Sequence, residues 1–393
     1  MLDQPQPEHC HDGFESPDGS AAADIILSQP GVDMSTFLSS TTNDRKNHDS
    51  YCAELLEFHA PVAPSPRNLA ADEARLGGIG TAILPRHEEN VLVSLYFRHV
   101  HHLCPVIDES DFAIRYTLHQ QGDLSARIEM IQLQAMMFTA IAHATEFQLR
   151  QMPFSTVLEG QTALLENVKH LYNHDHSVSH VTRTTVCLLL SFWSPYNSDA
   201  CVNSFWLDRA FFHAREARLW DPLSDSATPP SRRKVIWWCC LVRDRIIGMG
   251  LRRPHRLHTT AHERTWPMVS MADFGSEVIC SQYMDRRSKQ LRMSSFIWLC
   301  HLSIQIVSII EFQREAMFSR TWRTGRENVS SVTKRIETVL DINHRLDVLE
   351  LQFELDGNLT LRGGDPQVDV VAVKTLQVMI QSVNPPLIVV RGH

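Results

Sequence analysis

From residue 86 onward, apolar residues recur at intervals of three and four positions, which is the spacing of an α-helix. The alternation of apolar and polar residues that marks a half-buried strand is nearly absent. Only residues 387–390 have the density of β-branched residues that strands prefer. The sequence therefore predicts an all-α, multi-helix fold for residues 86–393.

Capping residues and helix breakers predict where the helices begin and end. We expect the first helix to begin at Pro85, because Glu88 and Glu89 in its first turn suit the helix dipole. Asp108 and Ser110 are candidate caps for the next helix. Further helices are predicted over 128–149, 156–174, 181–192, 206–220, 232–250 with Ser231 as its cap, 285–318, 329–351 and 368–383.

The first 85 residues differ from the rest in composition. They contain 8 of the 19 prolines, 8 serines, 13 acidic residues and 4 basic residues. Their net charge of −9 exceeds the −8 of the whole chain, so residues 86–393 are close to neutral. Such a segment buries too little apolar surface to offset its ordering entropy, and we expect it to be disordered, with a short helix at 53–59. The charge balance also argues against a protein that coats nucleic acid.

Nine cysteines are scattered along the chain without a C-x-x-C pair, which predicts buried free thiols in a reducing compartment. The longest apolar run, 296–310, is too short to span a bilayer and contains His301 and Gln305. The first 20 residues lack the apolar core of a signal peptide. We therefore expect a soluble intracellular protein without membrane association.

Two groups of histidines are the candidates for metal chemistry. His99 and His102 share a helix face while His101 points elsewhere, and a catalytic zinc site usually needs three protein ligands. The second group is His170, His174, His176 and His180. Its first two members have the i, i+4 spacing of zinc-binding helices, but the glutamate of an H-E-x-x-H motif is missing. We expect exposed or core-edge histidines, and we assign no catalytic, cofactor-binding or metal-ligating residue and no cofactor.

The predicted helix over 232–250 combines a wide apolar surface with charged residues. Trp237, Trp238 and Cys240 belong to the apolar surface, and Asp244 interrupts it. Because a buried charge must be paired, we expect Asp244 to accept a hydrogen bond from an arginine. The three cations at the N-terminal end, residues 232–234, oppose the helix dipole, so we expect carboxylates beside them, from Asp221, Asp225 or a distant glutamate. A buried helix with an internal ion pair is one interpretation, and a helix that faces a ligand is the other.

This helix resembles the middle homology region of fungal zinc-binuclear-cluster transcription factors. The family pattern W-W-x5-D-R-x6-G-R-P is filled by Trp237, Trp238, Asp244, Arg245, Arg253 and Pro254, with Arg252 in place of the usual glycine. Other blocks that resemble the family, at 95–112, 171–175, 181–191 and 205–210, occur in the expected order. The sequence of these blocks is most similar to that of the cutinase transcription factor beta subgroup. The resemblance covers about residues 88–275.

The resemblance implies an all-α regulatory domain of a nuclear transcription regulator, often one of metabolic or secondary-metabolite genes. The family's six-cysteine zinc cluster needs a C-x2-C-x6-C spacing, and these 393 residues do not contain it. We therefore carry over the regulatory domain but neither the zinc ligands nor the base-reading residues. The expected partners are proteins, either a second copy or a DNA-binding relative, so that contact with DNA is indirect. The acidic N-terminal segment is expected to contact other parts of the transcription machinery.

Two alternatives stay open at this point. A small-molecule-sensing module is one, since Trp193, Trp206, Trp237 and Trp238 could enclose an apolar pocket for an effector, although core packing explains them equally. An enzyme of a biosynthetic gene cluster that uses the group at His170–His180 is the other.

Overall fold

The computed structural model describes residues 84–122, 128–193, 202–251, 256, 267–318 and 329–361. Side chains are described at these positions except for 316–318, 329, 331, 354 and 356–361, where only the backbone is. All of them belong to the unit Arg75–His393. The expectations for residues 1–83, for 368–383 and for 387–390 lie outside the described residues.

The described part of the chain is built from helices and contains no strand, which confirms the all-α prediction. A π-helical turn, Tyr96–Val100, continues the first helix directly. The α-helices are α1 Arg86–Leu95, α2 Glu109–Gln120, α3 Met130–Ala140, α4 Glu146–Leu149, α5 Val157–His174, α6 His180–Leu190, α7 Val202–Glu216, α8 Pro230–Gly250, α9 Gly275–Ile279, α10 Arg286–Phe318 and α11 Val329–Leu361. Short 3₁₀ turns, Ile141–His143 and Met271–Phe274, lie between α3 and α4 and before α9.

Several predicted boundaries agree with the structure within two residues, and local capping explains why. Pro85 precedes α1, Asp108 accepts a hydrogen bond from the backbone amide of Asp111 at the start of α2, and Thr156 caps α5 in the same way. The helix predicted over 128–149 is wrong, because it ends at Ala140. Thr145 then starts a new turn through a reciprocal capping box with Gln148.

Two helix ends near the centre of the chain also differ from the prediction. Helix α8 starts at Pro230 with Pro229 before it, so Ser231 is not its cap; a proline in the first turn loses no helical hydrogen bond. Helix α7 begins at Val202 and ends at Glu216, four residues before the predicted stop. Arg218 there has a left-handed φ of 49°, and the amide of Leu219 donates to the carbonyl of Ala214, 2.9 Å away. This hydrogen bond closes the helix in a Schellman arrangement.

Helix α8 lies at the centre of the fold, packed against α6, α7 and α10. The sequence predicted a wide apolar stripe, but side chains are buried on every side of this helix from Arg232 to Gly248, with Lys234 and Ile246 only partly covered. Charged side chains near its start, Arg232 and Arg233, and near its end, Arg243–Arg245, are therefore buried together with its tryptophans and cysteines. Their partners must come from other helices.

Helix α10 is longer than the run 296–310 on which the sequence analysis relied. Among the described residues it is the one helix that could cross a membrane by length and composition, over Arg286–Glu315. A helix at the core of a folded domain passes the same test, and 56% of its apolar window is buried inside the protein. The estimate that this stretch is too short for a bilayer is corrected, because the helix continues on both sides of the run.

Helices α10 and α11 form an antiparallel pair. The rings of Trp298 and Phe353 meet edge to face at 5.9 Å, and Arg345 donates to the hydroxyl of Ser308 at 3.5 Å. Helix α11 extends ten residues beyond its predicted end at 351.

The left-handed conformation of Arg218 gives a stability prediction. A residue with a Cβ atom costs about 1 kcal/mol or more in this region, whereas glycine adopts it readily. We expect Arg218→Gly to raise the free energy of unfolding by about 0.5–1 kcal/mol, measured by urea denaturation. The exposed helical residue Arg215 provides the control, because Arg215→Gly should lower the free energy of unfolding by about 1 kcal/mol. A loss of stability with Arg218→Gly would contradict the prediction.

Candidate functional site

A group of charged residues is buried where α2, α8, α9 and α10 meet the segment that follows the π-helical turn. Its members are His101, Glu109, Arg232, Glu277 and Lys289, and we call them the central ion cluster. The exposed fraction is 0% for His101, Glu109, Glu277 and Lys289, and 9% for Arg232. Two of the five, His101 and Glu109, lie in the block 95–112 that resembles the family.

Lys289 is the centre of this cluster. Its ammonium group donates a hydrogen bond to Glu109 and lies 3.0 Å from Glu277 Oε2 and 3.2 Å from His101 Nδ1. Two donors of the ammonium group are thus used by Glu109 and His101, and Glu277 lies within ion-pair distance. The buried positive charge is therefore surrounded by two carboxylates and an imidazole.

Arg232 closes the cluster from the first turn of α8. Its guanidinium donates to Glu277, and to the carbonyl of Pro105 at 2.7 Å. It also lies 3.3 Å from Asp108, the capping residue of α2. Burial lowers the pKa of Arg232, but the nearby Glu277 and Asp108 outweigh burial and raise the pKa above its ordinary value. Arg232 therefore links the start of α8 to the cap of α2 and to the buried carboxylate of Glu277 on α9.

The contacts of His101 define its tautomer. Nδ1 accepts from Lys289, so Nε2 carries the proton and donates to the carbonyl of Ile107 at 2.8 Å. Burial and the neighbouring Lys289 hold the pKa of His101 well below its usual range, so the ring is neutral. The cluster then contains two cations and two carboxylates, and Glu109 accepts further hydrogen bonds from the hydroxyl of Ser281 and the amide of Gln282.

The second buried ion pair confirms that Asp244 accepts an arginine. The arginine is Arg256, whose guanidinium donates to Asp244 Oδ1 and whose backbone amide donates to Oδ2, both at 2.7 Å. Arg256 also donates to Asp208 and to the carbonyl of Ser204, both on α7. The partner therefore lies beyond α8 in the chain, and the pair links α7 to α8.

The other charged side chains of α8 also have polar partners. Arg243 donates to the hydroxyl and carbonyl of Ser191 and lies 3.9 Å from the ring centre of Phe192, and burial lowers its pKa to about 10. The carboxylates at the N-terminal end are Glu277, which is the distant glutamate of the prediction, and two that were not predicted, Asp108 and Asp273. Asp273 lies 2.8 Å from Lys234. Asp221 contributes its carbonyl oxygen, which accepts from Arg233.

The first histidine group does not assemble into one site. His99 stacks on His143 at 5.1 Å, whereas His101 belongs to the central ion cluster. His102 is buried, and burial followed by the nearby Arg292 holds its pKa well below the usual range.

The second group separates in the same way. His170 stacks on His174 at 4.2 Å, His176 is exposed, and His180 Nδ1 lies 2.9 Å from Nδ1 of His213. Within the described residues, no group of three or more histidine, cysteine, aspartate or glutamate side chains could hold a metal ion.

Tryptophans and cysteines of the described residues mostly belong to the core. Trp206, Trp237 and Trp238 are buried, and Trp237 meets Phe211 edge to face at 5.9 Å. Cys104, Cys187, Cys239, Cys240 and Cys300 are buried free thiols, while Cys280 is exposed. Burial raises the pKa of the Cys187 thiol to about 12.

Sequence reasoning did not find Lys289 and Glu277. A signal for Lys289 exists, because it occupies an apolar face of α10 together with Met293, Phe296 and Cys300, all buried. A lysine at such a position must find a carboxylate inside the protein. Glu277 lies in a five-residue helix whose short pattern carries no comparable signal.

The fold and its buried ion pairs define a helical domain whose centre is built largely from the segments that resemble transcription factors. The chain belongs to the family of the fungal specific transcription factor domain, which it matches over residues 93–347. The match covers 255 of the 393 residues and includes His101, Glu109, Arg232, Glu277 and Lys289.

Curated relatives carry the names of transcription factors. The chain is 24% identical to cutinase transcription factor 1 beta of Fusarium vanettenii over 69% of this chain and 30% of that protein. It is 27% identical to transcription factor cpaR of Aspergillus oryzae over 50% of this chain and 33% of that protein. The chain thus spans about a third or less of the length of these relatives. No solved structure matches it significantly.

The buried position of Lys289 gives a prediction about folding. Lys289→Met leaves Glu109 and Glu277 buried without their shared cation, so we expect the free energy of unfolding to fall by about 3–5 kcal/mol. Urea denaturation measures this loss. Adding Glu109→Gln should restore part of it, because the glutamine oxygen still accepts from Ser281 and Gln282 and one uncompensated carboxylate is removed.

The matched control for this prediction is Lys169→Met. Lys169 lies 2.8 Å from Glu166 in an exposed pair, so the expected loss is under about 1 kcal/mol. Equal losses for the buried and the exposed lysine would contradict the role of the central ion cluster.

Buried histidines make the stability depend on pH. Burial, with a smaller contribution from a neighbouring histidine, lowers the pKa of both His143 and His213 from 6.5 to about 4. Between pH 6.5 and 4 the unfolded chain therefore binds more protons than the folded chain, and stability is lost as the pH falls through this window.

We expect the denaturation midpoint to decrease from pH 7 to pH 4.5. His143→Gln should reduce that decrease, whereas His176→Gln, at an exposed position, should not. A denaturation midpoint that stays constant from pH 7 to pH 4.5 would contradict the lowered pKa values of His143 and His213.

Proposed function

We propose that this protein is a nuclear transcription regulator and that its helical domain acts through protein partners. The observation that carries the proposal is the family match over residues 93–347, together with the central ion cluster that lies inside it. The domain is a regulatory module and not an enzyme. In support of this, the buried titratable groups are shielded from solvent and most are paired with other protein groups, so a substrate has no access to them.

The charge of the helical domain supports contact with DNA through a partner. Residues 86–393 are close to neutral, whereas a domain that grips the DNA backbone is expected to be basic. The partner is a DNA-binding relative or a second copy. Purified protein that binds a short DNA duplex with sequence specificity, over a range of salt concentrations, would contradict this mechanism.

The target genes are those of metabolic or secondary-metabolite pathways. This part of the proposal is supported by the name of one relative, which refers to cutinase. A small-molecule effector remains a prediction. The tryptophans at 206, 237 and 238 are explained by core packing, and no specific contact favours an effector pocket over it.

Transcript profiling tests the proposed function. A deletion strain should change the expression of a coherent set of genes, and the full-length wild-type chain should restore it. The Lys169→Met variant should restore it as well, whereas the Lys289→Met variant should not, because its domain is destabilised. Protein levels measured in each strain distinguish loss of the domain from loss of a contact.

Metabolite profiling of the same strains can contradict the proposed function. Metabolites that change while transcripts stay level would reject the regulator and favour an enzyme that uses residues of the His170–His180 group.

A further inference from the structure

Helix α11 carries apolar side chains on two opposite faces. Ile342, Leu346, Leu349 and Phe353 are buried on the face toward α10. The opposite face exposes a line of large apolar residues at intervals of three or four, with a gap at His344. Its members and their exposed fractions are Val332 39%, Ile336 42%, Leu340 59%, Val348 39%, Leu351 57% and Leu355 56%. We call this line the outer apolar stripe.

The outer apolar stripe is too long to be a chance exposure. It runs from Val332 to Leu355, and these 24 residues span about 35 Å at 1.5 Å per residue. Single exposed apolar residues are common on proteins, but six of them along one side of a helix indicate a contact. A helix that is apolar on opposite faces is normally covered on both.

The charges beside the stripe argue against a second copy of this chain. Glu337, Asp347 and Glu350 border it, and Asp341 is already paired with Arg345 at 2.9 Å. Pairing α11 with itself in either direction brings acidic residues together across the contact, and like charges at such positions destabilise. An apolar helix with few charges fits this surface better.

The chain immediately after α11 supplies such a segment. Gly363 and Gly364 are typical of a helix end, and Asp365 followed by Pro366 is typical of a helix start. Residues 368–383 then carry only one acid and one base, and apolar residues recur at positions 368, 372, 376, 379 and 383.

The two segments also have matching lengths on either side of the turn between them. Leu351 lies ten residues before Leu361, where α11 ends, and Leu376 lies ten residues after Pro366. A hairpin that turns between Leu361 and Pro366 would therefore place Leu376 level with Leu351.

We propose that residues 368–383 form a helix that packs antiparallel on the outer apolar stripe of α11. The all-α domain then extends to the C-terminal part of the chain, as the sequence pattern over 86–393 predicts. The short connection holds this segment at an effective concentration in the millimolar range, an advantage that a separate protein lacks.

Paired substitutions in the full-length chain test this proposal. Leu351→Asp and Leu376→Asp should each lower the melting temperature by about 3–6 °C, because each puts a charge into the same apolar contact. The double variant should melt no lower than the less stable single variant, since the contact is lost only once. Leu351→Asp combined with Leu376→Lys should recover part of the loss, which general unfolding would not allow.

Leu158 provides the matched control. It is 58% exposed on α5, so Leu158→Asp should leave the melting temperature unchanged. No change with Leu376→Asp would overturn the proposal. If Leu351→Asp then lowers the melting temperature in a way that depends on protein concentration, a second copy covers the stripe. If neither substitution changes the melting temperature, the stripe is uncovered.

Discussion

The buried ammonium group of Lys289 constrains the domain more than any other single group. A lysine with no exposed surface is tolerated only where carboxylates surround it, and here Glu109 and Glu277 come from two further helices. Glu277 in turn pairs with Arg232 at the start of α8, and His101 must stay neutral to accept from Lys289. The cluster can therefore form only when α2, α8, α9, α10 and the turn after Tyr96–Val100 are all in place. Each of these elements depends on the others for the pairing of its charges.

Helix α8 extends this constraint through the rest of the core. This helix is buried on all sides, and its charged side chains bind partners on other elements. Arg243 donates to Ser191 at the end of α6. Asp244 accepts from Arg256, which also donates to Asp208 on α7. Apolar packing supplies most of the stabilisation, but it is not directional. The ion pairs favour this set of neighbouring helices, because an unpaired buried charge in an alternative arrangement would cost several kcal/mol.

This organisation suits the proposed role, in which the domain acts by binding other proteins. In the described residues, the histidines that looked like candidates for metal chemistry are separated into a stacked pair, a buried cluster member and a contact with His213. The interior is used to hold the helices in register, because its charged groups bind one another across helices. Residues that determine the partners are thus expected on the surface, where the family motifs provide little guidance.

Local patterns in the chain were enough to predict the all-α class, most helix ends and the need of Asp244 for an arginine. These depend on periodicity and on caps such as Asp108 and Thr156, which act within four residues. The break after Ala140 and the start of α8 at Pro230 were missed because a single cap contributes only about 1 kcal/mol, so that competing local signals are similar in strength. The identity of the buried partners came from packing alone. Lys289 meets His101 across 188 residues, and Arg232 meets Glu277 across 45. Nothing in the neighbouring sequence specifies such pairs, since they form only when the folded helices bring distant charges together in the buried interior.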